Sequence, residues 1–224
     1  MKNRNFILFA LLFFSFTSFS QVQWLNINLG GKIFINPTTQ SLQAQGSPYV
    51  ERKFTYAKIE NVIEKHFMRY NAYSDSFEFI SFQNDTLEMD RSDTFRTITF
   101  TNPVKKYAYL DYLSKTKGRV KGYLVELYSK GDFVLYKKES ITFYPGKKAK
   151  TSLENDIQAT YLPVTSTYFF KTKSGMIINF PDSKKQLIRL FPESKDAING
   201  FVKENNIDFE IESDLYKIID FLAQ

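Results

Sequence analysis

The sequence predicts an α+β protein that is mainly β: an antiparallel β meander, closed as a sandwich or curled as a half-barrel, followed by two or three short C-terminal helices. Three observations predict this class. Apolar and polar residues mostly alternate from about residue 22 to 180, which is the period of a half-buried strand. Aromatic and β-branched residues dominate these runs, and short polar turns separate them. After Pro181 the apolar spacing becomes that of amphipathic helices.

The first twenty residues have the features of a secretory signal peptide. Lys2 and Arg4 form a short basic region, an apolar run extends from Phe6 to Phe19, and Ser20 is a small residue at the expected cleavage site. The apolar run is too short and wrongly flanked for a stable membrane span. We therefore expect cleavage near Ser20 and a periplasmic or secreted mature protein.

The composition excludes several classes of function. The chain has no cysteine, so it lacks disulfides, thiolate metal ligands, cysteine nucleophiles and the acylated cysteine of a lipoprotein. Signal cleavage would lower the formal charge from +6 to +4, because it removes two basic residues and no acidic one. So small a charge does not favour nucleic acid binding. We predict no nucleic acid partner, no cofactor, no metal site and no transmembrane segment in the mature chain.

The predicted β domain covers residues 21–180 and begins with a hairpin. Alternating apolar residues at 25–29 and 33–35 flank a Gly30-Gly31 turn, and a polar loop follows at 36–48. Further strands are predicted at 52–60, 65–73, 77–82, 94–101, 106–113, 119–128, 132–144, 157–162, 165–172 and 175–180.

The predicted helical segment covers residues 181–224 and packs on the β domain. Its apolar faces comprise Leu187, Leu190 and Phe191; Ala197, Ile198, Phe201 and Val202; and Leu215, Ile218, Ile219 and Leu222. Asp182 and Ser213 are predicted N-caps, and Asn205-Asn206 is a predicted helix stop.

The segment at 69–79, R-Y-N-A-Y-S-D-S-F-E-F, places a small polar group between two aromatic runs. Aspartate and serine side chains bond to nearby backbone amides, so Ser74-Asp75-Ser76 is predicted to be the turn of a hairpin. The alternative is a polar recognition tip formed by Asn71, Ser74 and Asp75.

Several stretches together resemble a family of uncharacterised secreted proteins of Bacteroidota bacteria. They are G-S-P-Y at 46–49, R-Y-N-A-Y-S-D-S-F-E-F at 69–79, L-Y-K-K at 135–138 and the helical tail at 201–222. The Phe-rich N-terminal segment ending in S-F-S-Q is similar to the export signals of that family. The resemblance implies an exported protein and supplies no catalytic, cofactor-binding or metal-binding residues.

No catalytic residue is predicted. His66 is the only histidine and lies in a predicted strand, where a structural role is the usual one. The motifs of serine hydrolases, zinc proteases and nucleotide-binding proteins are all missing from the sequence. An acidic cluster is interpreted as a solvated hairpin, although a glycosidase pair or a hard-cation site would also use carboxylates. Its members are Asp85, Glu88, Asp90 and Asp93.

A basic run at 115–121 is a candidate for anion binding. Its side chains would share one face of a continuous strand, but Gly118 is predicted to break that face with a turn. A phosphate-bearing lipid or an acidic glycan could bind there, although lysines that protect a sheet edge are the simpler interpretation. The basic residues are Lys115, Lys117, Arg119 and Lys121, with Lys147, Lys148 and Lys150 in a Pro-Gly loop.

Asp85-Thr86-Leu87 matches the three-residue O-glycosylation signal of exported Bacteroidota proteins. This match predicts a glycan on Thr86. An intact mass equal to that of the bare mature chain, measured on protein from its native host, would contradict the prediction.

These observations predict an exported envelope protein that is not an enzyme and acts as an interaction or binding module. Its partner would be an envelope protein, a glycan or an apolar ligand. Two alternatives remain open. One is a carrier of a lipid or other apolar ligand in a curved sheet lined with Phe. The other is a carboxylate-dependent glycan hydrolase.

Overall fold

The computed structural model describes residues 44–151 and 153–224, together with the two-residue strand Lys32–Ile33. The predicted signal peptide and Gly30-Gly31 turn lie outside these residues. The strands are β1 Lys32–Ile33, β2 Thr55–Ile59, β3 Lys65–Asn71, β4 Ser76–Ile80, β5 Thr86–Glu88, β6 Thr97–Thr101, β7 Val104–Ser114, β8 Gly118–Lys130, β9 Phe133–Ser140, β10 Phe143–Tyr144, β11 Thr160–Tyr161, β12 Thr165–Lys171 and β13 Ile177–Asn179. The helices are α1 Lys184–Leu190, α2 Lys195–Glu204 and α3 Glu212–Leu222, and short 3₁₀ turns occupy Asp93–Phe95 and Pro192–Ser194.

Eleven of these strands form one sheet in the order β1-β5-β4-β3-β2-β6-β7-β13-β12-β9-β8, while β10 and β11 pair separately. β8 also pairs with β7, so the last five strands of the sheet form a closed ring. β8 pairs with one edge of β7 along its length. β6 and β13 therefore both pair with the other edge of β7, at different positions. The described strand pairs are antiparallel except for β13 and β7, which run parallel at Ile178 and Leu113.

The predicted fold class is confirmed, since a largely antiparallel sheet is followed by three helices. Each of the ten strands predicted after residue 48 overlaps an observed strand. The single strand predicted at 132–144 is interrupted at Ile141, whose buried side chain joins the core while its amide donates to the carbonyl of Ala72. β5 was not predicted, because three residues beside an acidic run show too little alternation.

The interior of the ring is filled by side chains. Each of its five strands contributes one buried apolar residue to a common cluster, which consists of Tyr112, Leu124, Tyr136, Phe169 and Ile177. The aromatic rings of Tyr112 and Phe169 make an edge-on contact, with 4.7 Å between their centroids. Large aromatic residues therefore supply the core that the cysteine-free chain requires.

A second core lies between the meander and the outer face of β8. Phe77 of β4 is fully buried and packs edge-on against Tyr123 of β8 at 4.8 Å and Tyr107 of β7 at 5.2 Å. Met68 and Ile98, from β3 and β6, are also fully buried in this cluster. The meander thus folds back over the ring and shares a core with it.

The three helices cover the opposite face of the ring. Leu187, Ile198 and Leu215 contribute one buried side chain from each helix and pack with Phe133 and Phe170 of the sheet. These positions lie on the apolar faces that the sequence predicts. Leu190, which was predicted on the first face, is instead 41% exposed, because α1 ends there after only seven residues.

The predicted N-caps are wrong by one or two positions, whereas the predicted stop is confirmed. α1 follows Ser183 rather than Asp182, whose carboxylate accepts from Lys115 instead. α3 begins at Glu212, so Ser213 lies inside the helix. α2 ends directly before Asn205-Asn206, and Asn206 has a positive φ of 47°, a conformation that commonly ends a helix.

Candidate functional site

The candidate site is a cleft of about 410 Å³ at one end of the strand ring. The turn between β7 and β8 forms one wall, and the adjoining ends of β9, β12 and β13 form the others. Phe209 and Leu215, from the segment that leads into α3 and from α3 itself, complete the lining. The strands end together here because neighbouring β7 and β13 run parallel.

Three lysines line the cleft and give it a positive character. Lys115 donates to Asp182 at 3.0 Å and to Gln186 at 2.9 Å. Lys138 lies deeper and is paired with Asp75 at 2.5 Å. Lys117 makes no ion pair within the part of the chain that the structure describes. Asp182 is the only acidic residue among the described lining residues, so the cleft favours an anion.

Hydroxyl groups and aromatic rings supply the rest of the lining. The hydroxyl residues come from the β7–β8 turn and from the facing ends of β9 and β12: Ser114, Thr116, Ser140, Ser166 and Thr167. The aromatic residues are Tyr112, Tyr168, Phe169, Phe180 and Phe209. Tyr112, Phe169 and Phe180 are buried, so the partly exposed rings of Tyr168 and Phe209 are the aromatic surfaces that lie among the hydroxyl groups. Hydroxyl groups that donate and accept hydrogen bonds beside such rings match the surface of a sugar.

Lys138 anchors the hairpin turn between β3 and β4 to the ring. Its ammonium donates to Asp75 Oδ1, to the Tyr123 carbonyl at 3.0 Å and to Tyr70 Oη at 3.2 Å. Asp75 Oδ1 also accepts from Tyr70 Oη at 2.7 Å and from the Tyr123 amide at 3.3 Å. Asp75 itself adopts a positive φ of 56°, which aspartate tolerates at a turn.

Gly122 of β8 makes room for this turn. A Cβ atom built at Gly122 would collide with Asp75 Oδ2 and would lie 3.5 Å from Lys138 Nζ. β9 pairs with β8 only from Val125 to Lys130, so the two strands separate around Gly122. The Asp75 carboxylate therefore occupies the place where the ring opens, beside the deep end of the cleft.

Burial lowers the pKa of Lys138, because a charged ammonium loses hydration in this interior. Asp75 opposes this effect, while the nearby positive charges of Lys117 and Arg91 add to it. Lys138 and Asp75 therefore form a largely buried ion pair at the deep end of the cleft.

The predicted hairpin turn at Ser74-Asp75-Ser76 is confirmed, but its polar side chains do not form an exposed tip. Asn71 is buried, and its Oδ1 accepts from the amides of Tyr73 and Ser74. Ser76 is buried as well, and its hydroxyl bonds to that of Ser74 at 2.7 Å. The signal that could have placed this turn is Gly122, since a glycine within a strand often marks the close approach of another group.

The structure separates the four residues of the basic run. Gly118 has a φ of 69° and breaks the run at the turn, as predicted. Lys115 and Lys117 line the cleft, whereas Lys121 pairs with Asp93 at 2.6 Å and Arg119 lies 3.9 Å from Asp111. Lys147, Lys148 and Lys150 are exposed in their loop and do not line the cleft.

The acidic cluster also disperses. Asp85 and Asp90 are exposed, while Glu88 lies half-buried in β5. Asp93 accepts from Lys121 and Arg96, and the hydrogen bond from Lys121 lowers its pKa. Within the described residues, no group of three or more histidine and acidic side chains could hold a metal ion.

His66 lies on β3 opposite Ala57 and contacts Phe79, with 6.3 Å between ring centroids. Its Nε2 is buried and has no hydrogen-bond partner among the described residues, and burial lowers the pKa of the ring. Thr86, the predicted glycosylation site, is the first residue of β5 and is partly buried.

None of the helices among the described residues has the length and apolar character needed to span a membrane. Comparison of the chain with protein-family models, curated proteins and solved structures finds no significant match. Any functional assignment therefore depends on the chemistry of the cleft.

Proposed function

We propose that this protein is exported to the cell envelope and acts as a non-catalytic module that binds an acidic glycan in the cleft at the end of the strand ring. The observation that carries the proposal is the lining itself. Three lysines and one aspartate surround a space of about 410 Å³ that also presents five hydroxyl side chains and the partly exposed rings of Tyr168 and Phe209.

The charge of the cleft favours an anionic ligand. Lys115 and Asp182 neutralise each other, and the carboxylate of Asp75 is shared among several donors. Lys117 therefore retains an uncompensated charge at the rim, where a carboxylate of a uronic acid could accept its hydrogen bonds.

The interior of the ring favours a glycan over a lipid. A lipid carrier needs an apolar cavity of several hundred Å³. In this ring, one side chain from each strand fills the interior instead, and the cleft lining mixes hydroxyl and ammonium groups with aromatic rings.

Export is supported by the sequence. The apolar N-terminal run behind Lys2 and Arg4, and the resemblance to secreted proteins of Bacteroidota, both favour it. Envelope fractionation followed by N-terminal mass analysis tests this part. A mature chain that begins at Gln21 is expected, and a chain retained in the cytoplasm with Met1 intact would contradict it.

Isothermal titration calorimetry with trigalacturonate tests the ligand class, with the neutral sugar galactotriose as the matched probe. We expect one saturable site for the acidic sugar and affinity at least about tenfold weaker for the neutral one, since one charged hydrogen bond accounts for such a difference. Lys117→Gln should weaken binding of trigalacturonate several-fold. Lys148→Gln, an exposed lysine outside the cleft, is the matched control and should bind like the wild type.

Three outcomes would overturn the proposal. Equal binding of both sugars would show that the protein does not select an acidic ligand. An unchanged affinity of Lys117→Gln for trigalacturonate would show that the cleft is not the binding site. Release of new reducing ends from the acidic sugar during incubation would replace the binding module with a hydrolase. Native mass spectrometry of protein purified from the envelope adds a further check, because a bound mass of acyl-chain size would favour the carrier.

A further inference from the structure

A second pocket lies apart from the cleft, between the segment at 50–55, β3 and the β6–β7 hairpin. Its volume is about 150 Å³. A cavity of about this size accepts a benzene molecule when its walls are apolar. The lining residues come from three separate stretches of chain and are not shared with the cleft.

The base of this pocket is apolar and rigid. Tyr70 and Tyr107 are each 2% exposed, and their ring centroids lie 4.8 Å apart. Phe100 packs against Tyr107 at 5.9 Å, while Val50 and Pro103 complete the apolar lining. The base holds its shape because these rings belong to the core beneath the meander.

Three cations surround this apolar base. Two of them are held in place by buried carboxylates: Arg69 donates to Glu78 at 2.6 Å, and Lys105 donates to Glu139 at 2.6 Å. Lys53 is exposed and makes no ion pair within the described residues. Glu51 is the only acid among the described residues that line the pocket.

The guanidinium of Arg69 is fixed in a single orientation. It lies 3.6 Å from the centroid of the Tyr49 ring and 4.3 Å from that of Phe54, so it is held against two aromatic faces. Its Nη1 donates to the Arg52 carbonyl at 3.3 Å, and its Nε to Glu78 at 2.8 Å. A cation that is already ordered loses little conformational entropy when a ligand binds.

We propose that this pocket binds a small monocarboxylic acid whose apolar body has about the size of a phenyl ring. The body lies against Val50, Phe100 and Pro103, above the buried rings of Tyr70 and Tyr107, and the carboxylate faces Lys53 at the rim. Hydrophobic burial supplies most of the affinity, and the uncompensated lysine selects the anion. The proposal is independent of glycan binding in the cleft.

Protein-observed NMR titration of the full chain tests this site with three probes. Benzoate carries both ring and charge, toluene carries the ring alone and acetate carries the charge alone. We expect benzoate to saturate in the millimolar range or below, as suits so small a ligand, with the largest shifts at Thr55 and Tyr107. Toluene and acetate should each bind several-fold more weakly.

Variants of two exposed lysines that are close in sequence, Lys53 and Lys58, provide the matched comparison. Lys53→Gln should weaken benzoate binding about threefold, the effect of one exposed charge. Lys58→Gln, an exposed lysine of β2 that does not line the pocket, should leave it unchanged. Lys117→Gln, which tests the cleft, should also leave benzoate binding unchanged.

The proposal is overturned if benzoate fails to saturate, or if its shifts map to the cleft rather than to Thr55 and Tyr107. Equal affinity for toluene would overturn the selection of an acid, and equal affinity for acetate would overturn the role of the apolar base. Loss of benzoate binding in Lys58→Gln to the same degree as in Lys53→Gln would overturn the assignment of the rim cation.

Discussion

Replacing Gly122 by alanine adds a single methyl group at the point where the β3–β4 turn meets the ring. The backbone of Gly122 does not require a glycine, since its φ lies outside the left-handed region. Alanine in place of glycine within a strand normally stabilises a protein by about 0.5–1 kcal/mol. At this position we expect the opposite sign, because the methyl group would occupy the space of the Asp75 carboxylate.

The expected loss of stability can be estimated from the groups that the added methyl group would displace. Asp75 is held by Lys138 at 2.5 Å and by Tyr70 at 2.7 Å, so its carboxylate is not a free end that can rotate away. Overpacking costs about 1–3 kcal/mol, and a lost hydrogen bond to a charged group costs about 1.5–3 kcal/mol. After subtracting the stabilisation that alanine normally gives, we expect Gly122→Ala to lower the free energy of unfolding by about 1.5–5.5 kcal/mol.

Urea denaturation followed by circular dichroism measures this change. Gly200→Ala is the matched control, because Gly200 lies in α2 and, of the described residues, its added Cβ would meet only Glu204, at an ordinary 3.9 Å from Oε1. Alanine there should raise the free energy of unfolding by about 1 kcal/mol, the difference in helix propensity.

Removing the Asp75 carboxylate tests whether the clash is the cause. In an Asp75→Gly background, Gly122→Ala should cost much less than in the wild type, so that the two substitutions are strongly non-additive. A Gly122→Ala protein as stable as the wild type would refute the reasoning. So would a full loss of stability that persists in the Asp75→Gly background.

Three further changes test other parts of the fold. Arg69→Met should cost about 3–5 kcal/mol in thermal denaturation, because it leaves the buried Glu78 without its cation, and Glu78→Leu in the same chain should restore most of the loss. Burial alone would raise the pKa of Glu212, but hydrogen bonds from Lys137 and two tyrosines outweigh it and hold the pKa below the ordinary 4.5. The stabilisation is therefore present above pH 4.5 and lost as the pH falls through the folded-state value, and Glu212→Gln should flatten that acid decline in urea denaturation. Asn206→Gly should raise the urea midpoint by an amount equivalent to about 0.5 kcal/mol, since Asn206 has a positive φ of 47°; a lower midpoint would contradict this.

Strand positions could be predicted from the sequence because alternation depends on local burial. β3 and β12, at Lys65–Asn71 and Thr165–Lys171, lie within their predicted limits. The closure of the ring could not be predicted in the same way. Alternation with a period of two indicates which side chains share a face of a strand, but it does not indicate which strands pair. The parallel pairing of Ile178 with Leu113 therefore could not be predicted from the pattern.

The two candidate sites illustrate the same limit. Lys115 and Lys117 were recognisable as a basic pair, but their separation from Lys121 depends on the turn at Gly118 and on a partner, Asp93, distant in the chain. The second pocket was not predicted at all, because its lining comes from three stretches that carry no common motif. Composition indicates which functional groups the protein has, whereas the pairing of segments distant in the sequence decides which of those groups lie together.

The parallel contact between β13 and β7 has a consequence for the order of folding. Most pairs in the meander from β2 to β7 join strands that follow one another in the chain, β2 with β6 being the exception, and all of them can form once β7 has been made. The ring cannot close until β13 follows, which leaves one edge of β7 unpaired near Leu113 until then. A chain that emerges N-terminus first, during synthesis or during the proposed export, therefore exposes an open strand edge for part of its folding, when it can associate with other chains.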